Sequence, residues 1–317
     1  MRARSIRFAS AEVVVAVMLS QCMSVMPEPT PEPLAWAPGT SVHTIQSGGD
    51  SRSYRLHVPP HQSRNIFGFQ LAYPVVVVLH GSGADGADVE RQSGMDSVAD
   101  ANGWLAVYPD AVGGALGFGS DWNAGTCCGA AAHDSVNDVA FVLAAIDAIT
   151  SRLPVNAHRI YVAGFSAGAR MAHHLACQAA GRVAAVAVVA GSVLDARCRP
   201  AVPVPILIFH GTGDDEVPYA EESATPVLDP VPGTSGLPPA VQLWASIDRC
   251  RGPRATRVAP HATQVDFRRC RADVLLYSIT DGGHGWPGST DGPGDDPPLN
   301  EVHATAVMTR FFAHHSR

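Results

Sequence analysis

The feature that most constrains this chain is Gly164-Phe165-Ser166-Ala167-Gly168, which directly follows the run Arg159–Ala163 and opens a helical stretch from Ala167. A strand that turns at once into a helix leaves the intervening serine on a tight bend. Its backbone is strained there and its hydroxyl points away from the sheet. The flanking glycines let neighbouring backbone pass close by. The pentapeptide alone is also an ordinary glycine-rich turn. Its strand–turn–helix setting is what makes Ser166 a candidate nucleophile.

That setting recurs along the chain. From about residue 50, short apolar runs alternate with helical stretches, the pattern of a parallel sheet covered on both faces. Predicted strands are Tyr54–Val58, Val75–Leu79, Leu105–Tyr108, Arg159–Ala163, Ala184–Val189, Ile206–His210 and Val274–Ile279. Predicted helices are Asp88–Asn102, Val136–Arg152, Ala167–Ala179, Pro239–Ile247 and Leu299–His314. The expected fold class is α/β: an α/β-hydrolase fold, with a mostly parallel central sheet and helices on both faces. Residues 111–133 and 212–238 are rich in Gly and Pro and too long for simple connections, so they are expected to wall a site. The chain has 317 residues, 46% of them hydrophobic and 16% charged, which supports a large core. No repeat or composition break divides residues 41–317, which are read as one catalytic domain.

A serine hydroxyl needs a base to take its proton, and the base needs an acid to orient it. After this kind of elbow the partners follow in the order acid, then histidine, each beyond a later strand. Gly211-Thr212-Gly213-Asp214-Asp215-Glu216 follows one such strand, and Asp281-Gly282-Gly283-His284-Gly285-Trp286 follows the last. Among 14 histidines, only His284 sits in a Gly-rich loop beyond the last strand. His80 and His210 end strands and precede glycine, which suits loop-fixing hydrogen bonds. His173 and His174 lie on the helix after the elbow, in packing or surface positions. Asp215 and Asp281 compete with Asp214, and spacing does not separate Asp214 from Asp215. An oxyanion hole requires backbone N–H groups. Ala167, after the nucleophile, is one expected donor, and Ser82, in the loop after Val75–Leu79, is the other.

That loop carries a second pattern. Gly81, Gly83 and Gly86 spell G-x-G-x-x-G between a strand and a helix, with Asp110 ending the next strand. Alone this is a dinucleotide-binding fingerprint. The elbow with its ordered partners leaves it no task, and no cofactor is expected. All 22 basic residues are Arg and none is Lys, which excludes a Schiff-base lysine, a Walker phosphate loop and a Ser-Lys dyad. A net charge of −7 argues against a nucleic-acid partner.

Residues 1–21 read as an export signal, with Arg2, Arg4 and Arg7 before the apolar stretch Val13–Leu19. Leu19-Ser20-Gln21-Cys22 looks like a bacterial lipobox, with Cys22 as the lipidation site, although Gln21 replaces the usual small residue. A plain secretory signal is the alternative. Residues 22–40 read as a stiff Pro-rich tether. The expected location is outside the cell, secreted or held at the outer membrane face, with membrane contact only through that N-terminal lipid. Without Cys22, six cysteines remain, which suits three disulfides in an exported protein. Six cysteines allow 15 pairings. The short-range options are Cys177–Cys198 and Cys250–Cys270, leaving Cys127 and Cys128 for a vicinal pair. No C-x-x-C spacing occurs, and no metal is expected.

Taken together, several segments resemble exported serine esterases of the polyhydroxybutyrate depolymerase-like and feruloyl esterase-like group, including mycobacterial-type esterase lipoproteins. They are Leu79-His80-Gly81, Trp122 through Gly129, Asp138-Val139-Ala140-Phe141, the elbow, Leu175-Ala176-Cys177, His210-Gly211-Thr212 through Tyr219, and Gly283 through Gly288. They run in order from about residue 50 to 312. The resemblance implies a catalytic triad of Ser166, Asp214 and His284, the acid falling two residues after His-Gly-Thr. It implies an exported esterase acting on feruloyl, acetyl, short-chain acyl or hydroxyalkanoate esters, small or oligomeric. Trp122 and Trp286 are expected as aromatic walls for substrate. Ala167 stands where many members carry Asn, and Asn137 where an Asp is common. Two other readings of the same cleft are a non-catalytic surface lipoprotein that binds glycan or lipid, and a serine peptidase of the same fold.

Overall fold

The computed structural model describes residues 36–64, 66–113, 120–125, 127–193, 198–220, 231–290 and 299–317. The export segment, Cys22 and the proline tether up to residue 35 lie outside them. In chain order the strands are β1 (Gly39–Ser47), β2 (Asp50–Val58), β3 (Tyr73–Leu79), β4 (Leu105–Pro109), β5 (Val155–Phe165), β6 (Ala185–Val189), β7 (Ile206–Gly211), β8 (Pro253–Arg257), β9 (Ala262–Phe267) and β10 (Val274–Ile279). The helices are α1 (Gly86–Ser93), α2 (Met95–Asn102), α3 (Gly129–His133), α4 (Asp138–Thr150), α5 (Ala167–Gln178), α6 (Pro239–Ile247) and α7 (Ala304–Ala313).

The strands form one sheet in the order β1-β2-β4-β3-β5-β6-β7-β10-β9-β8. From β4 to β10 every neighbouring pair is parallel, and the pairs at the two margins are antiparallel. The central strands are continuous β-branched and aliphatic runs because helices cover both of their faces. Along β3, Val75, Val77 and Leu79 enter one core with Phe141 of α4, Met171 of α5 and Trp244 of α6. Val76 and Val78 point the other way, into a core with Val89 of α1, Met95 of α2 and Phe312 of α7. A one-residue register slip would exchange those faces.

Two helix boundaries follow from side-chain chemistry. Asp85 and Asp88 form a reciprocal capping box at the start of α1, and Asn137 Oδ1 accepts the Ala140 N–H (2.9 Å) at the start of α4. The single helix expected over Asp88–Asn102 is two helices. Gly94 ends α1 with φ 57°, a left-handed turn that stops the first helix before α2 begins. The last helix starts at Ala304, with a separate 3-10 turn at Leu299–Glu301. Strands β1, β8 and β9 and helix α3 were absent from the sequence reading. β8 reads Pro-Arg-Ala-Thr-Arg and is largely exposed, an edge strand with no apolar face to reveal it. Among the described residues the disulfides are Cys127–Cys128, Cys177–Cys198 and Cys250–Cys270.

Candidate active site

Strand β5 delivers Ser166 to the end of the parallel sheet. The residue has φ 53° and ψ −117°, a conformation that costs a non-glycine residue about 1–3 kcal/mol. It is held there from both sides. Ser166 N–H donates to Val189 O (3.0 Å), and Ser166 O accepts the Arg170 N–H (3.1 Å) as α5 begins. The glycines of the elbow are steric requirements. A Cβ on Gly164 would meet the Gly168 carbonyl, and one on Gly168 would meet the carbonyls of Leu79 and His80. The first turn of α5 therefore lies against the end of β3, and Ala167 is buried at its N-terminus.

Asp214 and His284 follow neighbouring parallel strands, β7 and β10, which run in register up to Gly211 and Ile279. Beyond that point their loops are laced together. Thr212 N–H donates to Ile279 O (2.8 Å), Gly213 N–H to Gly282 O (2.9 Å), and Asp281 N–H to Thr212 Oγ1 (2.8 Å). A Cβ on Gly211 would collide with the Gly282 carbonyl, so glycine permits the approach. The result is that His284 Nδ1 lies 2.9 Å from Asp214 Oδ2 and 3.0 Å from Oδ1. Asp214 Oδ1 also accepts the N–H groups of Val217 (2.8 Å) and Glu216 (3.1 Å), and His210 Nε2 stands 3.4 Å from Oδ2. Burial alone would raise the Asp214 carboxyl, but hydrogen bonds from His210, His284 and the Val217 N–H hold it well below the usual carboxylate range. An ionised Asp214 can only accept, so His284 Nδ1–H donates to it and, in the neutral ring, Nε2 is left as the acceptor. Asp215 is exposed and has no part in this network.

Ser166 and His284 line one cavity of about 320 Å³, with the β3–α1 loop and α1 as the opposite wall. The Phe165 ring packs beside the imidazole, with centroids 4.9 Å apart. Among the described residues the imidazole's hydrogen bonds go to Asp214 alone. What joins His284 to Ser166 is the cavity that both line, with no hydrogen bond between them among the described residues. Ser82 lines the cavity too, and its hydroxyl donates to Asp121 Oδ1 (2.5 Å). A Cβ on Gly81 would sit 3.3 Å from Ser166 Cβ, so the loop that carries Ser82 comes up against the elbow.

His80 fixes that loop, as its place at a strand end led us to expect. Its Nδ1–H donates to Gly81 O (2.7 Å), and its Nε2 accepts the Ala111 N–H (3.0 Å). Burial lowers its pKa, against opposing contributions from Gly81 and nearby carboxylates. His210 acts likewise, donating from Nε2 to Val217 O (2.7 Å). His173 is fully buried and accepts the Trp244 indole N–H (3.0 Å), with its pKa pushed down to about 3 by desolvation.

Trp122 and Trp286 require a correction. Both were expected to wall the substrate, and both are core residues. Trp122 is completely buried with Nε1–H donating to His80 O (2.9 Å), and Trp286 is 3% exposed with Nε1–H on Thr305 Oγ1 (2.9 Å). Their loop position gave no sign of which way the rings turn. The G-x-G-x-x-G pattern also has a structural explanation. Asp110 Oδ1 accepts the Gly86 N–H (2.8 Å), Oδ2 accepts the Ser53 hydroxyl (2.6 Å), and a Cβ on Gly86 would strike the Tyr108 carbonyl.

Three features escaped the sequence reading. Glu216 reaches the cavity, its Oε2 3.7 Å from His284 Nε2. Asp138, buried, pairs with Arg52 (2.8 Å) and accepts the Asn123 N–H (2.7 Å), pinning the loop that carries Trp122. Arg170 lies against the sulfurs of Cys127 and Cys128 (3.3 and 3.6 Å), tying that pair to the elbow helix. Glu216, Asp138 and the cysteine pair all lie in segments of the family pattern, but that pattern carried no sign of these contacts.

With this geometry described, the chain was compared with known proteins. Residues 52–234 match the family model described as Esterase PHB depolymerase. The esterase-designated protein NocK of Nocardia uniformis subsp. tsuyamanensis is 30% identical over 79% of this chain and 75% of its own length. Feruloyl esterase B of Piromyces equi is 31% identical over 67% of this chain, which spans 40% of that enzyme. Among solved structures, acetyl xylan esterase from Aspergillus awamori superposes with a TM-score of 0.59 at 14% identity, covering 86% of this chain and 99% of that one. That last likeness is one of fold.

Proposed function

The chain belongs to the Esterase PHB depolymerase family and is a carboxylic ester hydrolase, and we propose that it works through an acyl-enzyme formed on Ser166. The observation that carries this reading is the Asp214–His284 hydrogen bond beside a cavity that His284 shares with Ser166. Ser166 Oγ attacks the ester carbonyl carbon while its proton passes to His284 Nε2. Asp214, held ionised by its donors, stabilises the imidazolium. The carbonyl oxygen becomes an anion received by the N–H groups of Ala167 and Ser82, the first at the positive end of α5. Collapse of the tetrahedral intermediate expels the alcohol, which takes its proton from His284. A water then attacks the acyl-enzyme by the same path, returning the proton to Ser166.

The substrates proposed are feruloyl, acetyl, short-chain acyl or hydroxyalkanoate esters, small or oligomeric. Support comes from the family match and from the feruloyl esterase activity of the Piromyces relative, and from a cavity large enough to take a small ligand. We propose export as well, because three disulfides suit an oxidising compartment. Lipidation at Cys22 is the finer part of that proposal.

The test is hydrolysis of p-nitrophenyl acetate by the wild type and by Ser166→Ala. Loss of turnover in a variant that keeps its circular dichroism spectrum is expected. Undiminished turnover would reject the mechanism.

A further inference from the structure

His284 stands between two carboxylates of different character. Asp214, its side chain fully buried, holds Nδ1; Glu216, its side chain 71% exposed, lies 3.7 Å from Nε2. Nε2 is the nitrogen that faces the reacting bond in the mechanism above. Among the described residues the Glu216 carboxylate has no other ion-pair partner. Among the described residues the other charged groups lining the cavity are Asp88 and Arg91 on α1, which carry opposite charges and form a 2.6 Å ion pair. The unbalanced charge at the cavity is therefore negative, and it sits beside the base. Glu216 is not needed for the acid's geometry, because what Asp214 accepts from it is the backbone N–H.

We infer that Glu216 is a specificity-determining residue that discriminates against esters carrying a negative charge near the scissile bond. The inference rests on the esterase reading above and names a substrate class for it: neutral esters, as opposed to hemiesters of dicarboxylic acids. A substrate carboxylate bound next to Nε2 comes within a few ångströms of the Glu216 carboxylate. Solvent around an exposed side chain screens that repulsion but does not remove it.

The experiment compares kcat/KM for p-nitrophenyl butyrate with that for p-nitrophenyl hemisuccinate, which ends in a carboxylate at similar length. Wild type and Glu216→Gln are measured at low salt and at about 1 M salt, where the Debye length falls to about 3 Å. The wild type is expected to prefer the butyrate. Glu216→Gln should raise the hemisuccinate-to-butyrate ratio by about fivefold, the size of one unit-charge contact near 4 Å in water. High salt should narrow the wild-type preference and leave the variant's ratio nearly flat. An unchanged ratio in Glu216→Gln, with butyrate still cleaved and Ser166 still required, overturns the inference and leaves the esterase reading standing. Absence of Ser166-dependent cleavage of either ester overturns that reading instead.

Discussion

His284 Nδ1 and Asp214 Oδ2 lie 2.9 Å apart although 70 residues separate them in the chain. The contact is made by two parallel strands, β7 and β10, whose loops are bonded to each other before either side chain is placed. The sheet order therefore sets the geometry of the pair, and the loops only refine it.

The first prediction separates two adjacent acids. Asp214→Asn should cost about 10⁴-fold in kcat, by leaving the imidazole in the wrong tautomer. Asp215→Asn, at an exposed position outside the network, should keep turnover close to wild type. Steady-state kinetics on p-nitrophenyl acetate decides between them, and the reverse order of effects would move the acid to Asp215.

A second prediction concerns the elbow. Gly168→Ala sets a methyl group against the carbonyls of Leu79 and His80, and neither is free to withdraw without shifting β3. A loss of about 1–3 kcal/mol in urea unfolding is expected, together with a fall in kcat as Ser166 is displaced. Unaltered stability would mean that the α5–β3 contact is looser than described.

The two tryptophans give a third. Trp122→Phe and Trp286→Phe each remove an indole N–H from a buried acceptor, a change worth about 1–3 kcal/mol of stability. KM for small esters should stay near wild type. A large KM increase without loss of stability would restore them as substrate walls.

Much of this was legible in the chain. The central strands were readable because burial on both faces demands continuous apolar runs, and the Pro239–Ile247 helix was found residue for residue. The elbow and His284 stood out as candidates because the expected chemistry requires those types beyond successive strands, whereas only the family resemblance separated Asp214 from Asp215. What escaped was decided in three dimensions. β8 is exposed and polar, the turn of Trp122 into the core depends on the His80 carbonyl, and Glu216 gains significance only from where His284 Nε2 comes to rest.

The fourth prediction is a pH dependence of stability. Asp248 is 1% exposed, and neither carboxyl oxygen has a hydrogen-bond partner. Burial pushes its pKa up to about 7, with Arg271 drawing it back. An acid with a higher pKa folded than unfolded holds its proton more tightly in the native state. Its stabilising contribution is full below the unfolded value of 3.8 and is lost as pH rises to about 7. Over that window the loss is on the order of 3 kcal/mol. Asp248→Asn cannot ionise, so it should gain on wild type in urea unfolding between pH 5 and pH 8, chosen as roughly bracketing the transition. Parallel pH curves would contradict the assignment.

The most direct test of the central claim is covalent. The wild type, Ser166→Ala and His284→Ala are each treated with a fluorophosphonate probe, and the adduct is located by peptide mass spectrometry. One adduct on Ser166 is expected in the wild type, none in Ser166→Ala, and labelling slowed by orders of magnitude in His284→Ala. Labelling of Ser166 at the wild-type rate without His284, or an adduct on another residue, would contradict the account.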